Sequence, residues 1–87
     1  MAQRYRVEIK RSATKEIRAI GRDADRRRVV ARIAALADDP RPPGCTKLSG
    51  GDAYRVRQGR CRILYTVADD VLVVEVVKVG DRRDVYR

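Results

Sequence analysis

Residues 53–79 read AYRVRQGRCRILYTVADDVLVVEVVKV, and the fold follows from how this stretch alternates. Residues 53–57 put Tyr54 and Val56 on one side and Arg55 and Arg57 on the other, the period-two pattern of a half-buried strand. Gln58-Gly59-Arg60 reads as a tight turn, residues 61–67 as its partner strand, and Asp69-Asp70 as a second turn. The run from Val71 to Val79 is apolar on both faces, which suits a strand in the interior of a sheet. Three consecutive strands joined by short turns imply antiparallel pairing.

Upstream, residues 4–10 alternate again. Tyr5, Val7 and Ile9 share one face, opposite Arg4, Arg6, Glu8 and Lys10. Ser12 is placed to cap a short helix that carries Ala13, Ile17 and Ile20 at helical spacing, with Gly21 as its stop. Asp23 or Asp25 is placed to cap a second helix, whose apolar stripe is Val29, Ile33 and Leu36. Asp39-Pro40 ends it, because a residue before proline avoids the helical region. The stretch PRPPGCTKLSGGDA (40–53) holds turn-forming residues throughout and is expected to be an ordered loop.

The order β-α-α-β-β-β predicts one α+β domain over residues 1–87: two N-terminal helices packed on a mainly antiparallel four-stranded sheet. At 87 residues there is room for one core, and a domain this small buries only roughly 60% of its unfolded surface. Hydrophobic residues make up 44% of the chain, too many for an intrinsically disordered protein. With no Trp or Phe, aliphatic residues and four Tyr must do the packing.

Charge narrows the function. Lys plus Arg total 21 against 12 acidic residues, a formal net charge of +9, which favours polyanionic partners. Nearly all of the cations are Arg, whose planar fork pairs with phosphate and stacks on bases. There is no His, so imidazole general bases and Ser-His or Cys-His nucleophiles are excluded. No Walker loop, GxGxxG or HExxH occurs. Cys45 and Cys61 match no zinc spacing, so neither a metal nor another cofactor is expected. The start lacks an apolar signal core, and no run is long enough to span a bilayer; a cytoplasmic protein without a membrane partner is expected.

Strand alternation puts Arg55 and Arg57 on one face, with Arg62 on the neighbouring row. Like charges side by side in a sheet repel, so folding alone does not call for this group; a bound anion relieves it. Arg60 in the turn and Arg82 or Arg83 past the last strand would close the group into a pocket. Glu75 could pair with an Arg on a facing strand. RNA brings its own nucleophile, the 2′-OH, so positioning and charge stabilisation could supply much of the rate of cleavage. Tyr86 lies among Arg82, Arg83 and Arg87, cationic neighbours that would lower a phenol pKa from its usual value near 10.

The stretch LSGGDAYRVRQGRCRILYTV (48–67), followed by VVEVVKVGDRRDVYR (73–87), resembles the RelE/ParE toxin superfamily of bacterial toxin–antitoxin systems. The likeness covers essentially the whole chain, including the opening YRVEI (5–9) and the loop that runs to Lys47-Leu48. The resemblance implies two competing activities. RelE-like members cut mRNA in the ribosomal A site; ParE-like members inhibit DNA gyrase and usually lack the arginine and tyrosine set. For the RelE-like reading it implies Arg62, Arg82 and Tyr86 as catalytic residues, with Arg62 on the scissile phosphate. Arg82 would stabilise or protonate the leaving group, and Tyr86 would orient or deprotonate the 2′-OH. Arg55 and Arg57 stand where relatives commonly carry Lys, and with Arg60, Lys47 and Arg83 would bind RNA. Arg keeps the charge there but does not deprotonate. The resemblance also implies a cognate antitoxin in a hetero-oligomer, and mRNA and the ribosome as targets. A +9 chain attracts an acidic, partly disordered antitoxin segment.

Overall fold

A computed structural model describes residues 4–81 of the chain. Its elements are β1 (Arg6–Ile9), α1 (Arg11–Arg18), α2 (Asp23–Ala35), β2 (Thr46–Lys47), β3 (Ala53–Gln58), β4 (Cys61–Ala68) and β5 (Val73–Asp81). The sheet has the order β1-β5-β4-β3-β2. The α+β class is as expected, but the sheet has five strands and not four. The additional strand is β2, two residues inside the proline- and glycine-rich loop, where Thr46 pairs with Arg55 and Lys47 with Tyr54. Two residues are too few for a period-two pattern to show.

The antiparallel meander β3-β4-β5 is as the alternation implies. Val56 lies opposite Ile63, and Ile63 opposite Val79. β1 joins the other side of β5 in parallel, Val7 beside Val74 and Ile9 beside Val76, because the two helices carry the chain back over one face of the sheet. β5 is thus an interior strand, consistent with its apolar run. The β4–β5 register slips between Leu64 and Tyr65: Leu64 faces Lys78 while Tyr65 faces Val76, leaving Val77 as the additional residue of a bulge.

Helix starts differ from the capping residues read in the sequence. α1 starts at Arg11 with Lys10 as N-cap, and α2 starts at Asp23 with Arg22 as N-cap; neither has a side-chain cap. Asp23 and Asp25 instead occupy the first turn of α2, where carboxylates favour the positive end of the helix dipole. They pair with Arg26 and Arg28. α1 ends at Arg18, so Gly21 lies in the connection between the helices and does not itself end the helix.

The core lies between helices and sheet. Ala13 and Ile17 of α1 and Val29, Ile33 and Leu36 at α2 meet Val56, Ile63, Tyr65, Val74 and Val76 of the sheet. Where β1 ends, α1 covers the open edge of β5: one Glu16 oxygen accepts the Val79 N–H at 3.0 Å and the other accepts the Lys78 ammonium at 2.8 Å. A backbone donor left without a strand partner is thereby satisfied.

A second polar network pins the loop after α2. The Tyr65 hydroxyl donates to the Pro40 carbonyl at 2.7 Å, and Tyr65 stacks on Tyr54 with ring centroids 5.8 Å apart. Burial raises the Tyr65 pKa, keeping the phenol a neutral donor. The Arg41 guanidinium lies over Tyr54, donates to its hydroxyl at 3.0 Å, and forks onto Asp69 at 3.1 and 2.8 Å. The Tyr5 hydroxyl also donates to Asp69. Loop, first strand and β4–β5 turn are so joined at one carboxylate.

The hydrogen bonds from Arg41 and then Tyr5 lower the Asp69 pKa from 3.8 to about 2. A depressed carboxylate adds stability above its unfolded pKa and loses it as pH falls through its folded one. Melting temperature should therefore fall between pH 3.8 and about 2, and Asp69→Asn should flatten that part of the acid profile. Thermal melts of both proteins across this range check it; superimposable acid limbs would contradict it.

Candidate nucleic-acid interface

Since Val56 and Ile63 point at the helices, the residues between them point the other way. Arg55 and Arg57 of β3 and Arg62 and Leu64 of β4 occupy the face opposite the core. Arg57 and Arg62 are direct cross-strand partners, and Arg55 faces Leu64. Arg57 is exposed, Arg55 half-buried, and Arg62 only 5% exposed, the one buried charged residue in the described part of the chain. On its other flank Arg62 faces Gly80 of β5, which has no side chain to fill that row.

The β3–β4 turn shapes the end of this group. Gln58 pairs with Cys61, so Gly59 and Arg60 form a two-residue hairpin loop. Gly59 has φ 60° and Arg60 does not have positive φ, the φ pattern of a type II′ turn that puts glycine first. A small pocket of about 50 Å³ opens beside it, lined by Arg57, Gly59, Arg60, Cys61 and Arg62. A single water needs about 10–15 Å³ of such space, so the pocket has room for more than one water beside three guanidinium-bearing residues.

The far end of the same face is acidic. Glu75 lies beside Glu8 on β1 and beside Thr66 on β4. The sequence suggested an arginine partner for Glu75; the neighbours the sheet gives it are Thr66 and Glu8. Glu8 pairs with Arg6. The outer face thus carries its arginines at the β3–β4 hairpin and its glutamates at β1–β5.

Of the residues singled out in the sequence, Arg55, Arg57, Arg60 and Arg62 come together. Lys47 does not. It is directly opposite Tyr54, which packs towards the core, so the alternation sets it on the other face at the β2 edge. Its distance in the sequence from β3 gave no hint that β2 pairs in this register. Arg82, Arg83 and Tyr86 lie outside the described residues. Cys45 and Cys61 are free thiols, and among the described residues no group of His, Cys, Asp or Glu could hold a metal ion. No described helix is long and apolar enough to cross a membrane.

A larger cavity lies elsewhere. A cleft of about 550 Å³ lies on the helix side, with Glu16, Ile20, Arg22, Asp25 and Arg60 among its lining. Two of its cations are already matched, Lys78 by Glu16 and Arg28 by Asp25. Sequence reading missed this cleft because its walls come from α1, α2 and the β3–β4 hairpin. Gly59, Arg60 and Cys61 line both the cleft and the small pocket.

Helices cover one face of the sheet, and paired arginines stand on the other. The chain belongs to the RelE/ParE toxin superfamily, as the model of the ParE toxin of the type II toxin–antitoxin system parDE matches residues 7–86. A RelE-like toxin protein of Escherichia coli is 30% identical over 95% of this chain and 90% of its own length. The RelE–RelB complex of the archaeon Pyrococcus horikoshii superposes with a TM-score of 0.81 at 30% identity, covering 94% of this chain and 97% of that one. A mutant of E. coli toxin RelE in the free state gives 0.76 at 28% identity, covering 95% and 90%.

Two outcomes follow from the geometry. Gly59→Ala should cost about 1–2 kcal/mol, the penalty of a left-handed residue with a Cβ, since no neighbouring atom stands within 4 Å of that position. Arg57→Gln should stabilise the free protein by roughly 0.2–1 kcal/mol by removing a like-charge pair, while weakening the stabilisation that added phosphate gives. Denaturant melts with and without phosphate check both, and an Arg57→Gln protein less stable than wild type without phosphate would contradict the second.

Proposed function

We propose that this toxin is a ribosome-dependent mRNA endoribonuclease that arrests translation. The observation that carries this reading is the cross-strand pair Arg57 and Arg62 on the outer face, the second of them buried. In such a position a guanidinium is fixed in advance and less screened by water, so it acts more strongly on charge that builds during reaction.

In the proposed reaction the 2′-oxygen attacks the scissile phosphorus and the P–O5′ bond breaks. The products are a 2′,3′-cyclic phosphate and a 5′-hydroxyl. Arg62 stabilises the charge on the non-bridging oxygens. Arg55 and Arg57, with Arg60, hold the flanking backbone; Lys47 is left out of this set because it lies on the other face. Tyr86, as a phenolate favoured by its cationic sequence neighbours, takes the 2′-proton, and Arg82 steadies the departing 5′-oxygen, which takes its proton from water. Arg83 adds charge nearby. Positioning and electrostatics thus stand in for the absent histidine.

A cognate antitoxin is proposed as the partner that holds the toxin inactive in a hetero-oligomer. RelE relatives are known in complex with RelB, in P. horikoshii and in E. coli. The net charge of +9 favours an acidic segment. The cytoplasm, where ribosomes and mRNA lie, is the proposed place of action.

One observation favours a second reading, inhibition of DNA gyrase without bond cleavage: the matching family model is that of ParE. The two separate in one pair of experiments. Induction in cells followed by mapping of 5′ ends should show new ends within translated messages. Arg62→Ala and Tyr86→Phe should each reduce them by about 10²–10³, the scale for losing an electrostatic group at a reacting centre. Supercoiling by purified gyrase should be unaffected. Inhibited supercoiling with no new 5′ ends would favour the ParE-like activity instead.

A further inference from the structure

The outer face of the sheet holds a carboxylate that neither folding nor the proposed cleavage chemistry accounts for. Glu16, Asp25 and Glu75 are all half-buried. Lys78 answers Glu16 and Arg28 answers Asp25, but Glu75 has neither a hydrogen bond nor an ion pair among the described residues. It stands on β5, an interior strand, and its neighbour on β1 is Glu8, a like charge. Drawing an unpaired carboxylate partly out of water opposes folding, and a like charge beside it adds to the cost. A hydrogen-bond donor brought by a ligand removes both objections.

The ladder fixes what surrounds Glu75. Arg57 and Arg62 form one cross-strand row, Arg55 and Leu64 the next, and Thr66 and Glu75 lie in the third. Alternate residues of a strand are about 6.8 Å apart, at about 3.4 Å per residue. The Thr66–Glu75 row is therefore about 7 Å from Arg55 and about 14 Å from Arg62 along the strands. Leu64 lies between them and is half-buried, an apolar surface with charge on one side and polar groups on the other. A nucleotide whose phosphate is held by the arginines lays its base over Leu64 and turns the base edge to Thr66 and Glu75.

We propose that Glu75 and Thr66 are specificity-determining residues, which read a base of the bound single strand and select guanine. The inference rests on the reading that a single RNA strand lies on the outer face, and it names what that face discriminates. An ionised carboxylate only accepts hydrogen bonds, whereas a hydroxyl can also donate. Single-stranded bases present their Watson–Crick edges to such groups. The edge of guanine carries two adjacent donors, N1–H and N2–H, and then the acceptor O6. The two donors take both oxygens of Glu75, and O6 accepts from the Thr66 hydroxyl. Direct cross-strand partners have Cβ atoms about 4.5–5.5 Å apart, so one base edge meets both residues. Adenine and cytosine each set one amino donor beside a ring acceptor, which leaves a carboxylate oxygen unanswered. Uracil sets its one donor between two carbonyl oxygens, which repel a carboxylate. Guanine alone matches the whole pattern.

Fluorescence anisotropy of the purified full chain tests this with labelled 2′-O-methyl single strands, which cannot be cut. The strands are all uridine, or carry guanine, adenine, cytosine or hypoxanthine at the central position. Wild type should bind the guanine strand about ten-fold more tightly than the all-uridine strand. Hypoxanthine lacks the N2 amino group and should forfeit much of that gain. Glu75→Gln should bring the guanine-to-uracil ratio down to about two or less, and Thr66→Val should lower it about three-fold. A circular-dichroism melt of Glu75→Gln at or above that of wild type shows that the variant folds. Arg55→Gln with Arg57→Gln should weaken every strand alike and preserve the ratio. Equal binding of the guanine and uridine strands by wild type overturns the inference, and so does a ratio that survives Glu75→Gln. Adenine or cytosine bound as tightly as guanine overturns guanine as the base. Strand affinities unchanged in the arginine variant overturn the outer-face reading itself, a result distinct from a missing base preference.

Discussion

The structure depends on burying one face of the β3-β4-β5 meander. Val56, Ile63, Tyr65, Val74 and Val76 are fully buried beneath two helices that supply Ile17, Val29, Ile33 and Leu36. A strand repeats every two residues, so fixing these side chains inward leaves Arg55, Arg57 and Arg62 no freedom to turn in. A slip of one residue would place three guanidiniums in the core, at a cost of several kcal/mol for each unpaired charge. Hydrophobic burial therefore sets where the charges go, and the arginine face is a consequence of the core.

That dependence explains why so little chemistry is needed locally. The β3–β4 hairpin is held by Gly59 in a left-handed conformation and by the ladder on both sides of β4. Arg62 lies in the ladder between Arg57 and Gly80. The Arg41–Asp69 fork and the Glu16 carboxylate do the same work at the periphery, closing a loop and an open strand edge with charges that stay in contact with solvent. Exposed pairs of this kind add little energy but choose one loop position out of many.

How much of this was legible follows from where each interaction lies in the chain. Alternation in Tyr54–Arg57 and Cys61–Tyr65 placed the arginines on one face and the core on the other, and the apolar run in β5 marked an interior strand. These are local patterns. Thr46–Lys47 leaves no local trace because a two-residue strand has no period, and only its pairing shows that Lys47, opposite Tyr54, stands on the face away from Arg55, Arg57 and Arg62. The helix starts were misplaced because α1 and α2 rely on packing and on the dipole and have no side-chain cap. Arg41 and Asp69 are 28 residues apart, and Glu16 reaches Lys78 across 62, so neither contact leaves a local signature.

The account rests on one physical claim: an RNA strand lies on the outer sheet face against the arginines of the β3–β4 hairpin. Side-chain Nε–Hε NMR signals of arginine, followed while a 2′-O-methyl single-stranded RNA is added, test this directly. The signals of Arg55, Arg57 and Arg62 should shift together and saturate with one affinity, while those of Arg11 and Arg18 on α1 stay in place. Shifts centred on the helices, with the three sheet arginines unmoved, would contradict it.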